Sequence, residues 1–198
     1  WAIVLFLAAS FPLSRLIGAW LPLWAAEWLA RISGWWMTTY VYVFPALLLV
    51  DLVRLVYRGM RLAAPGVVPQ LNLARGTGAV VLVAFAAVLA YGAWAARSPV
   101  VTRYEVTIPK PAGPYQELNV VLVSDTRLGL IIGRNRLETL VADINRLGPD
   151  MVFLAGDITD NDFRPFRERD MAAVLRELRA PLGDYGVVGN HDDGARDL

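Results

Sequence analysis

The chain has 198 residues, 56% of them hydrophobic, with 19 Lys/Arg against 18 Asp/Glu, a formal net charge of +1 and no cysteine. The missing cysteine excludes a disulfide framework and a thiolate metal site. Charge is unevenly divided: six Arg/Lys and two Asp/Glu lie up to Ala96, thirteen and sixteen from Arg97 onward. An apolar, cationic half therefore precedes a polar, acidic one, and the acidic balance of the second half speaks against nucleic acid as a partner, since such binding requires cations against phosphates.

Trp1 to Ser14 is uncharged and apolar but shorter than the ~20 helical residues needed to cross a bilayer, so it reads as the end of a truncated transmembrane helix over 1–14. From Arg15 to Arg31, Trp20, Trp24 and Trp28 recur every four residues beside Glu27 and Arg31, which gives a helix one aromatic face. Two readings stand for that face: an interfacial helix among lipid headgroups, or packing between membrane helices. Ile32 to Val50 carries no charge and continues into Asp51 and Arg54, predicting a spanning helix over 32–54 with Pro45 inside it. Asp51 and Arg54, three apart, are expected to pair near the interface.

Arg58 to Arg75 reads as a loop broken by Gly59, Pro65, Gly66 and Pro69, and 76–96 as a further uncharged span. Arginine in that loop places it in the cytoplasm and the chain beyond Ala96 on the other side. Residues 97–117 form a linker, with an edge strand where Val100, Thr102, Tyr104, Val106 and Ile108 alternate with polar positions. The region 1–96 is thus a helical membrane part, and 118–198 a separate α/β domain. The apolar helices carry too few polar groups to line a transport pathway.

Within that domain three apolar runs end in polar ones. Asn119 to Val123 leads to Asp125, Met151 to Leu154 leads to Gly156-Asp157-Ile158-Thr159-Asp160, and Tyr185 to Val188 leads to Gly189-Asn190-His191-Asp192. A helical stripe, Leu137, Leu140, Val141, Ile144 and Leu147, stops at Gly148-Pro149 between the first two. A second, Met171, Val174, Leu175 and Leu178, separates the last two. Asp125 and Asp157 are 32 positions apart, Asp157 and Asn190 33, about one strand-helix-strand unit each. The spacing sets three oxygen ligands along one rim of a parallel sheet, which suits a hard divalent cation. A single Asp after a strand more often caps a turn; three in register favour the metal-site origin.

Asp125-Thr126-Arg127, Gly156-Asp157-Ile158-Thr159-Asp160 and Gly189-Asn190-His191-Asp192 resemble the D-x-H, G-D-x-x-D and G-N-H-D/E blocks of calcineurin-like metallophosphoesterases. Leu128-Gly129 and Leu182 to Val187 resemble the surroundings of these blocks in the membrane-anchored bacterial branch of that family. The resemblance covers roughly Leu118 to Asp192 and implies an αββα sandwich, here partial. It implies a membrane-anchored enzyme of the bacterial cell membrane, its domain extracytoplasmic, that hydrolyses phosphomonoesters or phosphodiesters with a water activated by divalent metal such as Mn, Fe or Zn. Asp157 would bridge two metals, Asp125 bind the first and Asn190 the second, with His191 near the leaving group and Asp160 supporting the loop.

Arg127 departs from the pattern. It stands where the family has histidine, and a guanidinium has no lone pair for a cation. Its expected role is to grip substrate phosphate; the alternative is a degenerate, non-catalytic binding or regulatory module. The family's later histidines would lie beyond Leu198, and with Trp1 as its first residue the chain is expected to be part of a longer protein.

Overall fold

The computed structural model describes residues 1–63, 73–110 and 113–192. They form two compact units, one of Trp1–Ser33 with Pro109–Leu198 and one of Gly34–Ile108.

The N-terminal half is helical: α1 (Ala2–Ile17), a 3₁₀ turn (Gly18–Trp20), α2 (Leu23–Ala63) and α3 (Leu73–Ala95). A helix closes its backbone hydrogen bonds within itself, as an apolar chain in a bilayer must. The few hydroxyls conform to this rule, since Ser10, Ser14, Ser33, Thr38 and Thr39 each donate to a carbonyl three or four residues earlier. Ala2–Trp20, Leu23–Ala63 and Gly78–Ala95 are each long and apolar enough to cross a membrane, judged by length and composition.

Several boundaries differ from the sequence reading, for local reasons. The first helix passes Ser14, whose hydroxyl bonds Phe11 O, so with the 3₁₀ turn the apolar stretch reaches 19 residues and is not too short to span. The helix expected over Arg15 to Arg31 is interrupted, because Leu21 precedes Pro22 and adopts the extended conformation that a following proline imposes. Its second half becomes the start of α2, which continues without a break past Pro45 to Ala63. Asp51 and Arg54 pair at 3.3 Å on its surface. Most of the loop read over Arg58 to Arg75 lies outside the described residues. Val100 to Ile108 alternates like a strand but is exposed and unladdered, for among the described residues no strand lies beside it.

The second half contains a three-stranded parallel sheet in the order β1 (Val120–Val123), β2 (Met151–Ala155), β3 (Asp184–Val187). Val120 lies opposite Met151 and Val152 opposite Asp184. α4 (Arg134–Arg146) connects β1 to β2; the short α5 (Arg164–Glu168) and α6 (Met171–Leu175) connect β2 to β3. Leu137 and Val141 of α4 meet Met171 and Val174 of α6 around Leu128, all buried. Each such side chain contributes about 1.5–3 kcal/mol through removal from water. α6 ends at Leu175, short of the expected stripe, yet Leu178 still packs on this core.

The sheet's other face carries Leu122, Phe153 and Tyr185 in adjacent register, all exposed, the two rings 5.9 Å apart. In an αββα sandwich that face receives the second sheet, and what is described here is one layer of helices on one sheet.

Candidate active site at the strand ends

Because β1, β2 and β3 are parallel and adjacent, the loops leaving their carboxyl ends share one rim. The first two are laced together by backbone bonds: Asp125 N donates to Gly156 O, Arg127 N to Asp157 O, Leu128 N to Ile158 O, and Asp160 N returns to Leu128 O. Thr126 Oγ1 adds a bond of 2.8 Å to Ile158 O.

The lacing is achieved with strained backbone. Asp125 (φ 56°), Arg127 (φ 50°) and Asp157 (φ 52°) are left-handed without being glycine, a conformation that costs on the order of 1–3 kcal/mol each and persists where surrounding structure enforces it. Gly156 is left-handed as well, at φ 84°. The third loop approaches through Gly189, where a Cβ would strike Asp157's carboxylate and backbone nitrogen, so this position of the third block admits glycine alone.

Asp157 is the centre of the rim. It is 8% exposed, its Oδ1 accepts from His191 N at 2.9 Å, and its Oδ2 accepts from Arg127 Nη2 at 2.8 Å. The same guanidinium nitrogen reaches Asp125 Oδ1 at 3.3 Å. Asp125, Arg127, Asp157 and the His191 backbone are therefore together. Asn190 is exposed on the third loop, between Gly189 and His191. Asp160 accepts from Asn161 N at 2.9 Å, and its Oδ1 lies 3.9 Å from His191 Nδ1, a buried nitrogen with no hydrogen-bond partner among the described residues.

Asp192 belongs to the site although the sequence reading gave it no role. Its carboxylate, 4% exposed, accepts from Thr159 N (2.7 Å), Thr159 Oγ1 (2.9 Å) and Gly189 N (2.8 Å), tying the second loop to the third. Burial pushes this carboxyl up, but the bonds from Thr159 and Gly189 outweigh burial and hold it below the ordinary carboxylate value. Its signal was its place at the end of the third block.

These geometries define an α/β domain with acid-bearing loops gathered at the ends of parallel strands. Residues 118–198 match the family model described as calcineurin-like phosphoesterase. The chain is 38% identical over 98 residues to the zebrafish (Danio rerio) transmembrane protein with metallophosphoesterase domain and 37% identical over 98 residues to the bovine (Bos taurus) protein of that name, covering 50% of this chain and 22% of each relative. It is 32% identical over 80 residues to the uncharacterized metallophosphoesterase YkuE of Bacillus subtilis, covering 40% of this chain and 28% of that one. No solved structure gives a significant match. Residues 118–198 thus match part of a calcineurin-like metallophosphoesterase domain, and they follow apolar helices that fit membrane anchoring. It spans 22% to 28% of the length of these relatives.

Calcineurin-like phosphoesterases use divalent metals, and the donor set here can be tested against that. Asp125 and Asp157, the carboxylates a first cation would need, are already joined by one guanidinium. Among the described residues no group of three or more His, Cys, Asp or Glu is placed to hold a metal ion. The described side chains do not fit a two-metal centre.

Proposed function

We propose that the full-length protein is a membrane-anchored phosphoesterase that hydrolyses phosphomonoesters or phosphodiesters. The observation that carries this reading is the convergence of all three block loops on Asp157, enforced by left-handed residues and by a contact that only Gly189 tolerates. Backbone strain concentrated on one rim is a mark of functional loops. Arg127 offers planar, permanently charged donors beside the two acids, and in a phosphoester complex it neutralises phosphate oxygens as arginine does in other phosphoryl-transfer sites. His191 and Asp160 flank the same rim as polar partners for substrate or leaving group. The test is release of phosphate or alcohol from p-nitrophenyl phosphate and bis(p-nitrophenyl) phosphate by the full-length protein, with a chelator as control. Chelator-sensitive turnover supports the reading, and no turnover by a folded protein refutes it.

One observation favours a second reading. With Arg127 already paired to Asp125 and Asp157, a fixed cation joins the two acids that a first metal would need, as in a non-catalytic binding or regulatory module. Binding of a phosphoester to the folded protein without its hydrolysis would select that reading.

The reading includes a topology, in which the Arg58 to Arg75 connection is cytoplasmic and Asp125 to Asp192 lies on the opposite side. A periplasm-active reporter fused after Ala112 is expected to be active; activity of a cytoplasmic reporter alone overturns the topology.

A further inference from the structure

The loop after the second acidic block does not end in solvent. Arg164, at the start of α5, is gripped by Asp162: the carboxylate accepts from Arg164 N and Nε at Oδ1, both at 3.0 Å, and from Nη2 at Oδ2 at 2.6 Å. The outer edge of the same guanidinium donates to Gly18 O and Leu21 O, both at 2.8 Å, more than 140 positions earlier in the chain. Those carbonyls belong to the first residue of the 3₁₀ turn and the residue just after it, at the end of the apolar stretch Ala2–Trp20, where a helix terminus carries partial negative charge. A second arginine of the segment, Arg169, pairs with Glu27 of α2, which is 6% exposed, and is itself positioned by Arg134 Nη1 donating to its carbonyl at 2.9 Å. Two independent cation contacts thus attach this loop to the α1–α2 turn, and the turn belongs to the same compact unit as the phosphoesterase domain.

The position of that turn relative to a bilayer is set by the sequence. Glu27 precedes Ile32, the first residue of the uncharged stretch, by five positions, or about 8 Å of helix, roughly the thickness of a headgroup layer. Trp20, Trp24 and Trp28 flank the contact and are 88%, 69% and 60% exposed, as tryptophans at headgroup level are. Two apolar helices, α2 and α3, separate the turn from the domain, so both emerge on the same side of a membrane that each helix crosses once. Asp160 lies four residues before Arg164 and Asp157 seven, so the acidic loop and the clamp belong to one short segment.

We propose that the substrate of this site is the phosphoester headgroup of a lipid in the same bilayer, presented to the Asp157 rim by the Arg164 and Arg169 clamp. The proposal rests on the phosphoesterase reading and adds the source of the substrate. Water adds to phosphorus, the ester P–O bond breaks, and the leaving alcohol takes up a proton, so no further reactant is required. Arg164 and Arg169 act as positioning residues: they touch the anchor, and their effect is confined to substrates that cannot diffuse to the site.

The experiment uses the full-length protein in vesicles of phosphatidylcholine containing phosphatidic acid, which present a phosphodiester and a phosphomonoester, beside the two soluble p-nitrophenyl esters. Wild type is expected to hydrolyse at least one vesicle lipid. The double variant Arg164→Gln, Arg169→Gln is expected to lose about tenfold on the lipid and to stay within about twofold on the soluble esters, because only placement relative to the bilayer has changed. Its retained soluble-ester activity also reports that it folds; if it does not fold, wild-type turnover of the lipids decides alone. Soluble-ester hydrolysis with neither lipid turned over overturns the proposal and leaves the phosphoesterase reading standing. Equal loss on both kinds of substrate by a folded variant overturns it too, and hydrolysis of nothing by wild type removes both.

Discussion

In α1, α2 and α3 most backbone groups are bonded to a neighbour four positions away, and the side chains require little but an apolar surround. The loops after β1, β2 and β3 are the reverse case. Asp125, Arg127 and Asp157 hold left-handed conformations, and most of the bonds that fix them come from loops 30 or more positions away, such as Thr126 to Ile158 and His191 to Asp157. The anchor's helices follow from length and composition, while the rim depends on single atoms. Arg164 and Arg169 join the two regimes, since each uses a side chain of the loop region to bond the turn at the end of α1 or the first turns of α2.

The sharpest way to break the comparison is at the centre of the rim. In the full-length protein Asp157→Asn is expected to remove most divalent-cation binding, whereas Asp162→Asn, five positions away and committed to Arg164, leaves it nearly intact; calorimetric titration with manganese reads the contrast. Equal binding by the two would mean that Asp157 is not the central acid. Next in size is Gly189→Ala, which places a methyl on the Asp157 carboxylate and is expected to destabilise the domain by about 3 kcal/mol, seen as a lower unfolding midpoint. Gly34→Ala in α2, with nothing within 4 Å of the added methyl, is expected to cost nothing and to raise helix stability by about 0.5–1 kcal/mol.

Arg127→His sharpens the rim further. It withdraws the guanidinium from Asp125 and Asp157 and supplies a nitrogen with a lone pair, so manganese bound per chain is expected to rise over the unmodified protein. Mass spectrometric metal counting decides it, and an unchanged count would show that the Arg127 pairing does not control occupancy.

The smallest effect concerns pH at the clamp. Burial pushes the Asp162 carboxyl up, but hydrogen bonds from Arg164 outweigh it and leave the folded value below 3.8. A depressed folded value contributes stability that is fully present above the unfolded carboxylate value and is lost as pH falls through the folded one. The unfolding midpoints of wild type and Asp162→Asn should therefore differ at neutral pH and converge as the pH falls through the lowered folded value; a gap that persists in acid would place the effect elsewhere.

Much of this was legible along the chain. Uncharged runs announced apolar helices, and helical stripes at Leu137 to Leu147 and at Met171 announced the crossovers. Three apolar runs ending in Asp125, Asp157 and Asn190 announced a parallel rim, because composition and period are local quantities and the length of a strand-helix-strand unit narrows how strands align. Arg127 was legible as a departure from the family's histidine, but its bonds to both acids were not, since they depend on two loops 30 positions apart being laced by backbone hydrogen bonds. Asp192 was visible as a letter of its block, and only packing showed that it joins Thr159 to Gly189. The contacts of Arg164 with Gly18 and Leu21, and of Arg169 with Glu27, left no periodic trace, because a salt bridge or a capped carbonyl between distant segments is set by where two surfaces meet and by nothing in the spacing of either.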